Sequence, residues 1–280
     1  MSLEPRFSDD SAEDALSAES VLARSSRGGY DVRVYDSLDS TNAELKRLTA
    51  EGAPEGTVAI ARTQTEGRGR MGRSFFSPAG TGLYMSLLLR PGGAAAESLS
   101  VTACAAVAAA EAIEAAVGMP AGIKWVNDVY LRGRKVCGIL AEGSPDAETG
   151  RMSSIVLGVG VNLAAPEGGF PEVLRDTAGA LAARSGGRIS RSAVAAAFLD
   201  GFMGYYEDLG ARSFYGPYVS RSMVIRKNVT VLLPGHEPVK ALALGIDGDF
   251  SLRLRAEDGG ILRLSSGEVS IRPDSGQGWD

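Results

Sequence analysis

The chain of 280 residues is 44% hydrophobic and carries 34 acidic against 29 basic side chains, for a net charge of −5. That content supports one large core and a smaller one, and excludes a disordered or fibrous chain. The acidic balance excludes a generic nucleic-acid binder, whose basic excess would show in the totals, so any positive site must be local.

Residues 1–29, rich in Ser, Ala, Asp and Glu, read as a flexible acidic N-terminal extension, too short for a winged-helix domain. A strand is expected over 32–35, a polar turn over 36–42 and a helix over 43–48. Strands over 57–63 and 83–89 follow, separated by a Gly/Arg-rich loop. Residues 98–117 form an alanine-rich helix with Ser98 or Ser100 as cap, ended by Gly118-Met119-Pro120.

Four short apolar runs come next, at 123–125, 129–131, 136–140 and 155–161, with Arg132-Gly133-Arg134 as a hairpin turn. No helix-length crossover separates them, which predicts a mixed, largely antiparallel sheet. Helices are expected over 190–209, capped by Ser190 or Ser192, and over 213–220. Six alternating segments then run from 224 to 271 (224–225, 229–232, 239–244, 250–254, 261–264 and 269–271), the rhythm of a small SH3-like β-barrel. The fold class is therefore α+β, with a main domain at 30–222, a C-terminal domain at 223–273 and a tail at 274–280.

The lone histidine, His236, sits in a Pro/Gly turn, which argues against His-based triads, Cys–His pairs and histidine zinc sites. Cys104 and Cys137 lie in apolar segments without metal-ligand spacing and read as reduced, buried thiols. No signal-peptide pattern opens the chain and no apolar run reads as long enough to span a bilayer, so a cytoplasmic protein with no membrane partner is expected.

Gly67-Arg68-Gly69-Arg70-Met71-Gly72-Arg73 is the segment richest in chemistry. Three glycines free the backbone for close approach, and three guanidiniums offer forks of donors matched to phosphate and carboxylate. Seen alone, such a stretch is most often a solvated basic turn. Its G-x-G-x-x-G spacing does not make a dinucleotide fingerprint, because a strand rather than a helix follows, and no P-loop motif occurs.

Three further segments join it: Asp39-Ser40-Thr41-Asn42, Lys124-Trp125-Val126-Asn127-Asp128 and Arg134-Lys135-Val136-Cys137-Gly138-Ile139-Leu140, with Gln64 just before the arginine loop. In this order and spacing, from about Tyr30 to Pro273, the chain resembles the biotin protein ligases. The resemblance implies a mixed sheet flanked by helices, akin to the class II aminoacyl-tRNA synthetase core, and a C-terminal SH3-like barrel. It implies ATP, Mg2+ and biotin as ligands, and the biotin carboxyl carrier domain of a biotin-dependent carboxylase as partner. A homodimer stays open, and the acidic balance of the chain calls for no nucleic acid.

Biotin and Mg-ATP would give biotinoyl-5′-AMP, whose anhydride a carrier lysine then attacks. Two anions meet in the first step, so cations are needed. By resemblance Lys135 bridges the biotin carboxylate and the α-phosphate, and Arg68 and Arg70 hold the reactants; Gln64, Gly67 and Gly69 belong to the biotin site. Ser40, Thr41 and Asn42 suit the ureido ring, although such residues before a helix are commonly its N-cap. Gly138 and Gly158 would let strand backbone approach the bicyclic ring, or mark bulges. Arg70, Arg73, Phe75, Asn127, Lys135 and Asn162 are the nucleotide candidates, with Asp128 as magnesium ligand. Asn127-Asp128 as a plain turn, and Asn162 as a cap, are the bland readings. Glu268 reads as an anchor between the two domains.

Val126 stands where the family's motif usually has proline, and Phe75 replaces a frequent tryptophan, keeping an aromatic surface without the indole donor. Rival readings are a lipoate or octanoate acyltransferase, a biotin-responsive repressor and a non-catalytic binding module. Lys135 and Cys137, two apart in a strand, are expected to share one face, which makes a Lys/Cys thioester mechanism conceivable. It ranks below adenylation because it has no need of the arginine loop. The repressor ranks low because the segment before Tyr30 has no helix pair and no basic face.

Overall fold

The computed structural model describes residues 16–91, 97–146, 148, 151–182, 189–232, 237–265 and 270–273. His236 and Glu268 lie outside the described residues.

Two parallel strands, β1 (Asp31–Tyr35) and β2 (Thr57–Ala61), flank α2 (Thr41–Ala50), which follows the short helix α1 (Ala18–Leu22). After β3 (Gly82–Leu89) and α3 (Glu97–Val117) come β4 (Gly122–Lys124), β5 (Asp128–Leu131), β6 (Arg134–Pro145) and β7 (Met152–Asn162). The seven strands make one sheet in the order β1-β2-β3-β7-β6-β5-β4, antiparallel everywhere except β1/β2. The β5–β6 turn uses Arg132 and Gly133 at φ 48° and 71°, the positive pair that a two-residue hairpin needs to match strand twist.

Every residue of β2 and β3 is buried, which explains their largely apolar sequences: helices cover both faces. On one face α3 and α4 (Arg191–Tyr206) pack over β2, β3, β6 and β7 to build the main core. On the other, Leu45 and Leu48 of α2 pack on Ala59, Leu88 and Val156. Ser190 caps α4 by accepting the Ala193 amide. At α3 the expected caps are corrected, because the helix begins at Glu97 and takes both Ser98 and Ser100 into its first turn.

Two sequence expectations change here. Leu99–Val117 does meet the length and composition of a membrane span, yet most of it is buried inside the protein, so its apolar character serves the core. The N-terminal extension is docked rather than flexible over 16–29. Leu16 and Val21 are buried, Ser20 and Ser192 hydroxyls lie 2.7 Å apart, and Asp200 accepts from Ser25 and Ser26.

After α5 (Tyr215–Ser220) the chain forms a second, wholly antiparallel sheet in the order β11-β10-β9-β8-β12. Its strands are β8 (Asn228–Leu232), β9 (Val239–Ile246), β10 (Leu252–Ala256), β11 (Ile261–Leu264) and β12 (Ser270–Pro273). Among the described residues β11 and β12 do not pair, so the sheet is open where barrel closure was expected. Residues 224–225 are in a turn region, not a strand, and Phe250 sits in the β9–β10 turn at φ 65°. Its buried ring stacks on Phe214 at 5.2 Å, and its carbonyl accepts the Trp125 indole at 2.9 Å. One apolar core runs through both sheets.

Candidate active site

Strand alternation builds the floor of the site. On β7, Val159 and Val161 enter the main core, so Gly158 and Gly160 open the opposite face. Gly158 pairs with Ser86 of β3 and Leu140 of β6, and Gly160 with Tyr84 and Gly138. Side chains from elsewhere fill the space that missing Cβ atoms leave. A Cβ on Gly158 would run into the Asn42 amide, and one on Gly160 would come within 2.5 Å of the Phe75 ring.

A cavity of about 320 Å³ lies over this floor. Arg68, Arg70, Arg73, Lys124 and Lys135 all line it, against one acid, Asp128. The chain is acidic overall, yet its cavity is strongly cationic. The arginine loop is shaped by short backbone bonds, Gly69 N to Arg73 O at 2.7 Å and Phe75 N to Gly67 O at 2.8 Å, with Met71 and Gly72 at positive φ. Gly67 forms the neck, since a Cβ there would run into the Phe75 carbonyl.

Arg70 reaches inward and donates Nη1 to Asn127 Oδ1 at 2.7 Å, while Asn127 Nδ2 donates to the Ile139 carbonyl at 2.9 Å. The Arg70 Nη2 is buried with no partner among the described residues. Burial lowers the Arg70 pKa, a pull that the charge of Asp128 opposes. Lys135 donates Nζ to Asp128 Oδ1 at 2.5 Å. Arg68 is exposed on the rim and makes no hydrogen bond or ion pair with a described residue, though its charge helps hold the Asp39 and Glu142 carboxyls down.

The opposite end of the cavity is lined by neutral polar side chains joined in a hydrogen-bond network. Ser40 occupies the N-cap position of α2, but its buried hydroxyl makes no capping bond. Thr41 donates its backbone N and its Oγ1 to Gln64 Oε1, and Gln64 Nε2 donates to Ser77 Oγ at 2.9 Å. Ser86 Oγ lies 2.7 Å from Thr41 Oγ1 and 2.5 Å from Asn42 Oδ1. Asn42 Nδ2 donates to Glu142 Oε2 at 2.7 Å, and Lys46 Nζ pairs with Glu142 Oε1 at 2.5 Å. Burial pushes the Glu142 carboxyl up, but the Lys46 and Asn42 hydrogen bonds outweigh it and hold the pKa below its ordinary value. Asp39, gripped by Arg47, is lowered to about 2.

A cation-rich chamber beside a neutral polar clamp suits a ligand with one anionic end and one amide-like end. Residues 34–162 match the biotin/lipoate A/B protein ligase family, and residues 225–272 match the biotin protein ligase C-terminal domain. The bifunctional ligase/repressor BirA of Bacillus spizizenii is 36% identical over 87% of this chain and 74% of its own length. The biotin–[acetyl-CoA-carboxylase] ligase of Mycobacterium tuberculosis is 30% identical over 91% of this chain and 94% of its own.

The chain belongs to the biotin protein ligase family. Among solved structures, the biotin protein ligase from Aquifex aeolicus in complex with biotin and ATP superposes with a TM-score of 0.70 at 28% identity, covering 86% of this chain and 98% of that one. This biotin protein ligase family member shares its mixed sheet flanked by helices with that neighbour.

Most of the sequence-predicted site residues meet at the cavity: Ser40, Thr41, Asn42 and Gln64 at one end, Arg68, Gly69, Arg70, Arg73, Phe75, Asn127, Asp128 and Lys135 at the other, with Gly138 and Gly158 beneath. Gly67 and Asn162 do not line it, and Asn162 Nδ2 instead donates to the Gly179 carbonyl at 3.1 Å. The shared face expected for Lys135 and Cys137 is corrected. A register shift in the β5–β6 pairing separates them, sending Cys137 into the core while Lys135 reaches Asp128. Sequence reasoning gave no role to Ser86, Gly160 or Glu142. Ser86 was detectable as the one polar residue in an apolar strand, and Gly160 as the second member of a Gly-Val-Gly-Val alternation. Asp128 is the single acid in the cavity and no cluster of three metal-binding side chains occurs among the described residues. That donor set fits a magnesium ion held chiefly by phosphate oxygens and water.

Proposed function

We propose that this chain is a biotin protein ligase that joins biotin to AMP and then to a lysine of a biotin carboxyl carrier domain. In the first step a biotin carboxylate oxygen attacks the α-phosphorus of ATP and the bond to pyrophosphate breaks. In the second, the neutral amine of the carrier lysine attacks the acyl carbon, AMP leaves with the bonding electron pair, and the amine loses a proton. Magnesium would screen phosphate charge, with Asp128 as its protein ligand.

The observation that carries the reading is the buried, unpartnered Arg70 Nη2 in a chamber of five cations and one acid. Such a donor lacks compensation until an anion arrives. Lys135 and Arg70 then neutralise both reactants and the charge that develops on the phosphorus oxygens. Ser40, Thr41, Asn42 and Gln64 take the ureido ring, and Phe75, resting on the Gly138/Gly160 floor, offers a face for adenine. The C-terminal sheet is read as the SH3-like barrel of the family, a reading supported by its five antiparallel strands and its family match.

The thioester alternative is disfavoured because Cys137 is buried in the core, outside the cavity, and burial pushes its thiol up to about 12. The test is to mix the protein with Mg-ATP, an apo carrier domain and either biotin or lipoate, and to follow carrier mass and pyrophosphate. Biotin-dependent addition to the carrier is expected; addition of lipoate alone refutes the reading.

A further inference from the structure

The Asn42 carboxamide faces two acceptors that never donate, the Glu142 carboxylate at 2.7 Å and the Leu140 carbonyl at 3.4 Å. That side must therefore be the NH2, and Oδ1 must point the other way, towards Ser86 Oγ and the gap above Gly158. An amide oxygen has two lone pairs, and Ser86 engages one. Ser86 has a single hydroxyl proton to share between Asn42 Oδ1 and Thr41 Oγ1, so Oδ1 retains accepting capacity. Glu142 does not line the cavity, and Lys46 pairs with its other carboxylate oxygen, Oε1.

We infer that Glu142 is a positioning residue that fixes the orientation of the Asn42 amide, so that the polar end of the cavity presents an acceptor to a ureido N–H. The inference rests on the biotin reading above and adds the element that sets the direction of hydrogen bonding. A glutamine at 142 can turn either an oxygen or an NH2 towards Asn42, so only the longer contact to the Leu140 carbonyl at 3.4 Å still orients the Asn42 amide, which can turn over and present a donor to a donor. Lys46 only balances charge. Removing it leaves the acceptor in place, which makes Lys46→Met the control.

The experiment measures equilibrium binding of biotin, and of biotin methylated at a ureido nitrogen, to the wild type, Glu142→Gln and Lys46→Met, together with steady-state kinetics. Glu142→Gln is expected to weaken biotin about tenfold, the equivalent of one hydrogen bond, and to raise the KM for biotin. Its kcat at saturating biotin and its KM for ATP should stay within about twofold. The wild type should discriminate against the methylated ligand about tenfold, and Glu142→Gln should lose most of that discrimination. Lys46→Met should retain it. If Glu142→Gln binds biotin as the wild type does, or loses biotin and the methylated ligand by the same factor, the inference is wrong. If the wild type itself binds no biotin, the functional reading fails first and separately.

Discussion

Lys135 Nζ sits 2.5 Å from Asp128 Oδ1, so the cavity's one acid is paired with the lysine assigned to its two anionic substrates. The pair holds the ammonium in position before substrate arrives. Both partners are partly exposed, so the ion pair adds little to stability and its value lies in placement. Lys135→Ala should lower the rate of adenylate formation roughly a hundredfold or more, with the melting temperature unchanged within about 2 °C. Single-turnover pyrophosphate release and a thermal scan check this, and a variant that keeps its rate contradicts the role.

Arg70 makes the opposite trade. Its guanidinium is desolvated and half satisfied, an arrangement that opposes folding and favours an anion. Arg70→Met should leave the ligand-free protein at least as stable as the wild type while cutting adenylate formation about a hundredfold. Denaturant unfolding beside pyrophosphate release measures both, and a large loss of stability would show that Arg70 serves the fold.

Cys137 sits in the core, with its thiol pushed up to about 12 by burial. Cys137→Ala should cost about 1–2 kcal/mol of stability from the small void it leaves and should keep adenylation and transfer intact. The native thiol should resist alkylation near neutral pH until the protein unfolds. Rapid labelling of the folded protein, or loss of transfer in the alanine variant, contradicts this.

The glycine floor predicts a division of effects. Gly158→Ala pushes on Asn42 and should weaken biotin tenfold or more, whereas Gly160→Ala pushes on the Phe75 ring and should act mainly on ATP. Separate KM values for the two substrates decide it, and equal effects on both would remove the distinction.

Much of the fold was legible because strand alternation and helix periodicity are local. Gly-Val-Gly-Val in β7, the Arg132-Gly133 turn and the Ser190 cap carry their own signals. The arginine loop, the Ser40 to Asn42 segment and Lys135 were legible through residue chemistry and order. What escaped depends on distant partners. Docking of residues 16–29 rests on contacts to Ser192 and Asp200 of α4 that the polar composition hides. The separation of Lys135 from Cys137 comes from a register shift set by β5. Glu142 gains meaning only when Asn42 and Lys46 arrive from a helix about 100 residues earlier. The positive φ of Phe250 follows from its docking among Phe214, Tyr215 and Tyr218.

The Asp39–Arg47 clamp sets the acid limit of the site's edge. With a folded pKa of about 2, below the ordinary carboxyl range near 3.9, Asp39 adds a small, solvent-screened stabilisation at every pH above that range. The contribution declines as pH falls from about 4 and is gone below about 2. Glu142, also held low, acts in the same direction. The melting temperature should therefore fall between pH 4.5 and 2, and Asp39→Asn should flatten that fall. An unchanged slope in the variant contradicts the clamp.

The proposed work of the cationic chamber is to let a carboxylate react with the α-phosphate of ATP. Pyrophosphate release from Mg-ATP, measured with biotin, without it, and with Arg70→Met, tests this most directly. Release that requires biotin and falls about a hundredfold in the variant is the predicted result; release that ignores biotin, or survives in the variant at the wild-type rate, contradicts it.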